Sequence, residues 1–379
     1  MKKLIVLFSA VAALAACSKN EVVPAVSGEN VEISYKVAPR TKADPQAFDT
    51  KNVFASWAYY LPSKKNWESN HNDAKIYIGK EGEEGATISY GNSVWKDQTT
   101  SYYWPKEGSL TFFAYSLNSD FLTDKLGTDT HFYCTKNESQ YGICGALNLD
   151  THPNTDLLVA DIAKDKTANE TAYKFNGVPT LFKHKLSRVK FAVKKKSDYP
   201  GVTITLNSIT FKKLVNYMVY NQYKINKDGS ITPDSITHTI LSQTPRSEQI
   251  YTEKSIEVSS TTFAPVPDAN EVRYIYIPQD FKNETKDIAT IEVKYTVTFK
   301  DGISETYTKT LNVKEIFDSW EIGKRYTFNL IFSLDEINWA PAVGDWEDEI
   351  KNIDVVTGEV KPADSTITAD GDTTTDEQF

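Results

Sequence analysis

The sequence predicts an all-β fold of two tandem β-sandwich domains, and three observations carry that expectation. Short runs of alternating apolar and polar residues recur along the chain, each closed by Gly, Pro, Asn or Asp. Tyr, Phe and Trp make up 12% of the residues, and these side chains favour half-buried pleated surfaces. Patterning with a helical period is nearly absent, so strands must supply the packed layers. At 379 residues the chain exceeds what one hydrophobic core usually holds, which sets the expectation at two domains.

The chain opens with MKKLIVLFSAVAALAAC. Lys2 and Lys3 form a charged start, and residues 4–13 form an apolar run too short to cross a bilayer as a helix. Residues 1–16 therefore read as a signal peptide. Leu14-Ala15-Ala16-Cys17 resembles the lipobox of bacterial lipoproteins, which implies that small residues fit the signal peptidase and that the Cys17 thiol takes the lipid. A lipid attaches a protein to a membrane without spanning it.

Residues 18–30 are polar and aperiodic, as suits a tether. Val31, Ile33, Tyr35 and Val37 alternate with polar residues, giving a strand with one buried face. The linker that follows, 39–45, contains Arg40 and Lys42 among Pro, Thr and Ala. Residues 52–60, a segment closing at Tyr102-Tyr103-Trp104-Pro105, and 110–115 are the next expected strands. Cys134 and Cys144 bracket a short polar loop, and in an exported protein they are expected to form a local disulfide. Residues 156–160 are a short apolar run, and 161–173 read as a loop or helical turn.

A second set of strands begins near Val178, with runs at 181–193 and 202–211. Asn226-Lys227-Asp228-Gly229 and Lys300-Asp301-Gly302 carry hairpin-turn chemistry. The Asp228 loop lacks the other acidic positions of a calcium loop. Residues 274–277, 291–299, 303–313, 326–332 and 337–346 complete the strand set. The last residues, about 361–379, have little to bury and are expected to be disordered alone. The domain assignment is thus 1–16 signal peptide, 17–40 lipidated segment with the first strand, 41–177 and 178–346 the two sandwiches, and 347–379 a C-terminal segment.

Composition and motifs exclude several function classes. The net charge is −9 with no basic patch, which argues against nucleic-acid binding. Two Met and three Cys are too few for a thiolate metal cage. None of His71, His131, His152, His184 and His238 lies in H-E-x-x-H or another metal spacing. There is no G-x-S-x-G elbow, phosphate loop or dinucleotide fingerprint. No catalytic residue, cofactor or metal is expected. His184 reads as a packed or surface histidine, and Glu347-Asp348-Glu349 as a solvated run.

Several motifs in order resemble one known family. They are Tyr103-Trp104-Pro105 with 112–115, Asp156-Leu157-Leu158-Val159-Ala160, Phe182-Lys183-His184-Lys185-Leu186-Ser187-Arg188-Val189, Tyr276-Ile277-Pro278-Gln279, Trp320-Glu321-Ile322-Gly323-Lys324-Arg325-Tyr326, and 343–346. Their shared order behind a lipobox resembles the fimbrillins, subunits of type V pili, in their lipoprotein-borne form. The resemblance covers most of the mature chain and implies transthyretin-like, Greek-key sandwiches at the cell surface. Trp104, Trp320 and Tyr326 are core aromatics in this reading, and Gly323 a turn residue.

The resemblance further implies an assembly mechanism. A trypsin-like protease cuts an outer-membrane lipoprotein after a basic residue beyond the first strand, here Arg40 or alternatively Lys42. The removed strand is Val31, Ile33, Tyr35 and Val37. A strand from the next subunit refills the groove by β-augmentation. The donor residues would be Ile350, Ile353, Val355 and Val360. Partners are then other pilus subunits, the membrane through the lipid, and a host or bacterial surface ligand. Stalk and tip roles both fit, and an anchor would retain its first strand. The alternative is a non-polymerising surface lipoprotein that uses exposed aromatics to grip glycan or host protein.

Overall fold

The computed structural model describes residues 31–37, 48–120, 122, 129–153, 155–171, 177–238, 247–266, 275–283, 288–334, 337–345, 351–353 and 360–361. Among them, strands dominate and the helices are single turns, such as Trp67–Asn70 and Ala168–Thr171. The all-β class expected from the sequence is the class observed.

A ten-stranded sheet organises the N-terminal half. Its main path runs Val178–Thr180, Tyr35–Val37, Val94–Lys96, Ala86–Gly91, Phe54–Leu61, Ser109–Ser116, Leu158–Ala160 and Phe182–His184. The first and last strands of that path are separated in sequence only by Leu181, so the sheet curls back on itself. Ile33, Tyr35, Phe54, Ile88, Phe112 and Phe182 fill the curl. The central strands are buried on both faces. Phe54 and Ala58 point into the curl, while Ala55, Trp57 and Tyr59 belong to a second cluster on the opposite side. That double burial explains why FASWAYYL reads as a nearly continuous apolar run.

The second cluster is covered by a four-stranded sheet, ordered Ile231–Thr237, Tyr217–Ile225, Gln140–Asn148 and His131–Lys136. Here the sequence reading needs three corrections. The expected boundary at 177 does not divide the strands. Val178–Thr180, Phe182–His184 and the hairpin 217–237 all lie beyond it, yet pair with strands before it. Met218 and Tyr220 enter the second cluster, and alternation in a sequence specifies a strand but not its partner. The polar segment 134–144 is a hairpin rather than a loop. The Asn137 side chain accepts hydrogen bonds from the Ser139 and Gln140 amides and so builds the turn.

The third correction follows from that hairpin's register. Cys134 lies opposite Ile143, and Cys144 opposite Tyr133. Opposed residues share a face and successive residues alternate, so the two thiols project to opposite faces of the sheet. No disulfide joins them, and both are free and buried. Burial pushes the Cys144 thiol up to about 12.

The C-terminal strands form two facing sheets around one aromatic-rich cluster. One sheet contains Ser187–Lys195 beside Lys324–Phe332, paired in parallel over eight register positions, followed by Ile337–Asp345, Lys351–Ile353 and Val360–Lys361. The other contains Ser247–Thr252, Val202–Leu214, Thr290–Phe299 and Ser304–Asn312. Gly229 and Gly302 adopt φ of +81° and +85° in the two expected hairpin turns. Trp320 and Tyr326 are core residues, and the Tyr326 hydroxyl accepts from the Glu321 amide at 2.8 Å.

Candidate functional site

The first described segment, residues 31–37, occupies an interior position in the curled sheet. On one side the Ile33 amide donates to the Tyr102 carbonyl (2.7 Å), the Trp104 amide donates to the Val31 carbonyl (2.9 Å), and Tyr35 lies opposite Trp95. On the other side Tyr35, Lys36 and Val37 run parallel to Val178–Thr180, and the Val178 amide donates to the Ser34 carbonyl at 2.8 Å. The segment is therefore bonded along both edges. It fills a slot between two strands.

Side chains follow the expected alternation. Ile33 and Tyr35 are 3% and 4% exposed, and Val31 and Val37 pack beside them. The Tyr35 ring stands edge-on to Phe54 and Phe112, with centroids 5.4 and 6.0 Å away. Burial raises the Tyr35 phenol well above its ordinary pKa. The slot wall comes as close as the backbone allows at Gly177, whose φ is +124°. A Cβ there would sit 2.9 Å from the Lys36 nitrogen and the Tyr35 carbonyl carbon.

One polar contact marks the opposite face of the strand. The Glu32 carboxylate accepts from Lys96 Nζ at 2.9 and 3.0 Å and from Ser101 Oγ at 2.7 Å. Lys96 and then Ser101 hold the Glu32 carboxyl below the usual carboxylate range. The Tyr77 hydroxyl donates to the Tyr103 carbonyl at 2.6 Å and fixes the 102–104 rim of the slot. The Trp104 indole packs on Phe112 inside the curl.

The expected site residues are only partly brought together. Val31, Ile33, Tyr35 and Val37 line one slot. Cys17, Arg40, Lys42, Ile350 and Val355 fall outside the described residues. Ile353 and Val360 are described by their backbone pairing alone: Lys351–Ile353 pairs with Ile337–Asp345, and Val360–Lys361 pairs outside it. Sequence reasoning missed Lys96, Ser101 and the partner strand Val178–Thr180, because nothing in their local pattern announces residues more than sixty positions away. His184 is packed as expected, with Nδ1 2.6 Å from Oδ2 of buried Asp156. Among the described residues no group of His, Cys, Asp and Glu could hold a metal ion. No helix among them is long and apolar enough to cross a membrane.

The architecture is similar to that of a solved fimbrial protein. A fimbrial protein from Bacteroides vulgatus superimposes with a TM-score of 0.55 at 16% identity, over 84% of this chain and all of that one. Putative cell adhesion proteins from Bacteroides uniformis and Bacteroides ovatus align at 12% and 16% identity, with TM-scores of 0.43 and 0.40. They cover 84% and 85% of this chain, and 98% and 99% of theirs. A search of curated proteins finds no match. The family model for fimbrillin-like proteins matches residues 41–346, most of the chain, and the protein belongs to the fimbrillin-like family.

Proposed function

We propose that the protein is a structural subunit of a cell-surface pilus, that it supports adhesion, and that it assembles by protease-triggered strand exchange. One observation carries the proposal. Residues 31–37 are bonded along both edges of an interior slot, and they continue into the segment that contains Arg40 and Lys42. A cut there leaves the strand held by non-covalent contacts alone. Its departure would unpair the Tyr102 carbonyl and the Trp104 and Val178 amides, and uncover Phe54 and Phe112. Such a gap is a template for another strand. Replacing the two fully buried side chains alone contributes about 3–6 kcal/mol before ordering costs.

The finer parts of the proposal follow the same logic. Residues 1–16 are removed, Cys17 carries the lipid, and the chain reaches the outer membrane as a lipoprotein before cleavage. Residues 347–379 supply the donor strand, through Ile350, Ile353, Val355 and Val360. The pairing of 351–353 and 360–361 outside Ile337–Asp345 supports this, since strands at an open sheet margin can leave without opening the aromatic core. The fold shared with a fimbrial protein supports the pilus role. The test is a denaturing gel run without heating, on the chain lacking residues 1–17 after brief trypsin treatment. A ladder of multimers is expected. A single monomer band would overturn strand exchange. It would favour the other reading, a monomeric binder that uses the exposed rings of Tyr77, Tyr90 and Tyr103.

A further inference from the structure

The Glu32–Lys96 contact does more than hold a strand in its own chain. When residues 31–37 leave, Lys96 and Ser101 stay behind, because their strand and turn are anchored elsewhere in the sheet. In the intact chain the Lys96 side chain is 25% exposed, and departure of the strand takes its carboxylate partner away. A partly buried charge that loses its partner is unfavourable, so the slot is selective in both shape and charge. The best occupant has a carboxylate where Glu32 was, flanked by two apolar residues in the places of Val31 and Ile33.

Within residues 347–379 an acidic residue lies between two branched aliphatic residues at one place, Ile353-Asp354-Val355. An apolar–acidic–apolar triplet reads the same in both chain directions, but with Asp354 at the place of Glu32 only a strand running as residues 31–37 do puts an uncharged residue, Thr357, in the buried pocket of Tyr35; the opposite direction would put Lys351 there. We propose that Lys96 and Ser101 are a register key. They select the strand of a second copy of this chain that brings Asp354 into the position of Glu32, and they fix how far that strand slides. The proposal rests on the strand-exchange reading above. A one-residue slip of any strand turns its apolar side chains to the wrong face. A single charge contact therefore discriminates between registers that differ little in backbone bonding.

The test follows polymerisation by light scattering for chains lacking residues 1–17 after brief trypsin treatment, at low salt. Lys96→Gln and Asp354→Asn are each expected to slow growth by about fivefold, the scale of one partly exposed ion pair. The double variant should be no slower than either single one, since both changes remove the same contact. Glu377→Gln, far along the C-terminal segment from Asp354, should grow like the unaltered chain. Should Lys96→Gln fail to fold, judged by its melt before cutting, Asp354→Asn decides alone, because it leaves the slot untouched. If Asp354→Asn grows at the unaltered rate, or the two effects add, the register key is refuted while strand exchange stands. If the unaltered chain does not grow at all, strand exchange falls and the key with it.

Discussion

Truncating Tyr35 to Ala is the sharpest probe of how firmly the first strand is held. The ring is almost wholly buried and stands between Phe54 and Phe112. Deleting a buried aromatic leaves a cavity and typically costs about 3–5 kcal/mol. The perturbation acts on the strand before and after cutting. In the uncut chain it lowers the stability of the N-terminal half, read as a fall in the urea midpoint at unchanged slope. In the cut chain the same loss weakens retention of residues 31–37 by about 10²- to 4 × 10³-fold. Lys36→Ala, on the exposed side of the same strand, is the matched control and should change stability by less than about 0.5 kcal/mol. A loss below about 1 kcal/mol for Tyr35→Ala, or equal losses for both variants, would show that the strand is not packed as described.

Three further outcomes follow from the same geometry. Gly177→Ala should lower the melting temperature, because it combines a left-handed φ with a 2.9 Å clash against the strand; an unchanged melt would count against the close approach. Glu32 has a depressed folded pKa, so its contribution is present above the unfolded value of about 4.3 and is lost as pH falls through the folded value. The difference in melting temperature between the unaltered chain and Glu32→Gln should therefore vanish on acidification, and at neutral pH the partly exposed pair contributes at most about 1 kcal/mol. In the chain lacking residues 1–17, Cys134 and Cys144 should resist a thiol reagent when native and both react in denaturant without reductant; two thiols that stay unreactive in denaturant would reveal a disulfide.

The legible and illegible parts of the fold divide along physical lines. Strand 31–37 was legible because one face is buried and the alternation is strict. The turns at Gly229 and Gly302 were legible because a positive φ selects Gly. The hairpin at 134–144 was missed because Gly142, Cys144, Gly145 and Ala146 are small residues buried on a crowded sheet, with no alternation to read. The disulfide expectation failed for the same reason, since pairing two Cys on spacing alone ignores which face each one takes. The crossing of residue 177 was illegible because pairing of 217–225 with 140–148 is set by tertiary packing. Of the slot, the apolar strand could be read, but Lys96, Ser101 and Val178–Thr180 could not, as they meet it only through the fold.

The central claim is that the slot emptied by cutting is the place the next subunit fills. Excess synthetic peptide with the sequence of residues 31–37 tests it directly, added to freshly cut chain while mass is followed by size exclusion with light scattering. The account expects the peptide to reoccupy the slot and hold the chain as a monomer, with a scrambled peptide having no effect. Growth that proceeds equally with either peptide would contradict it.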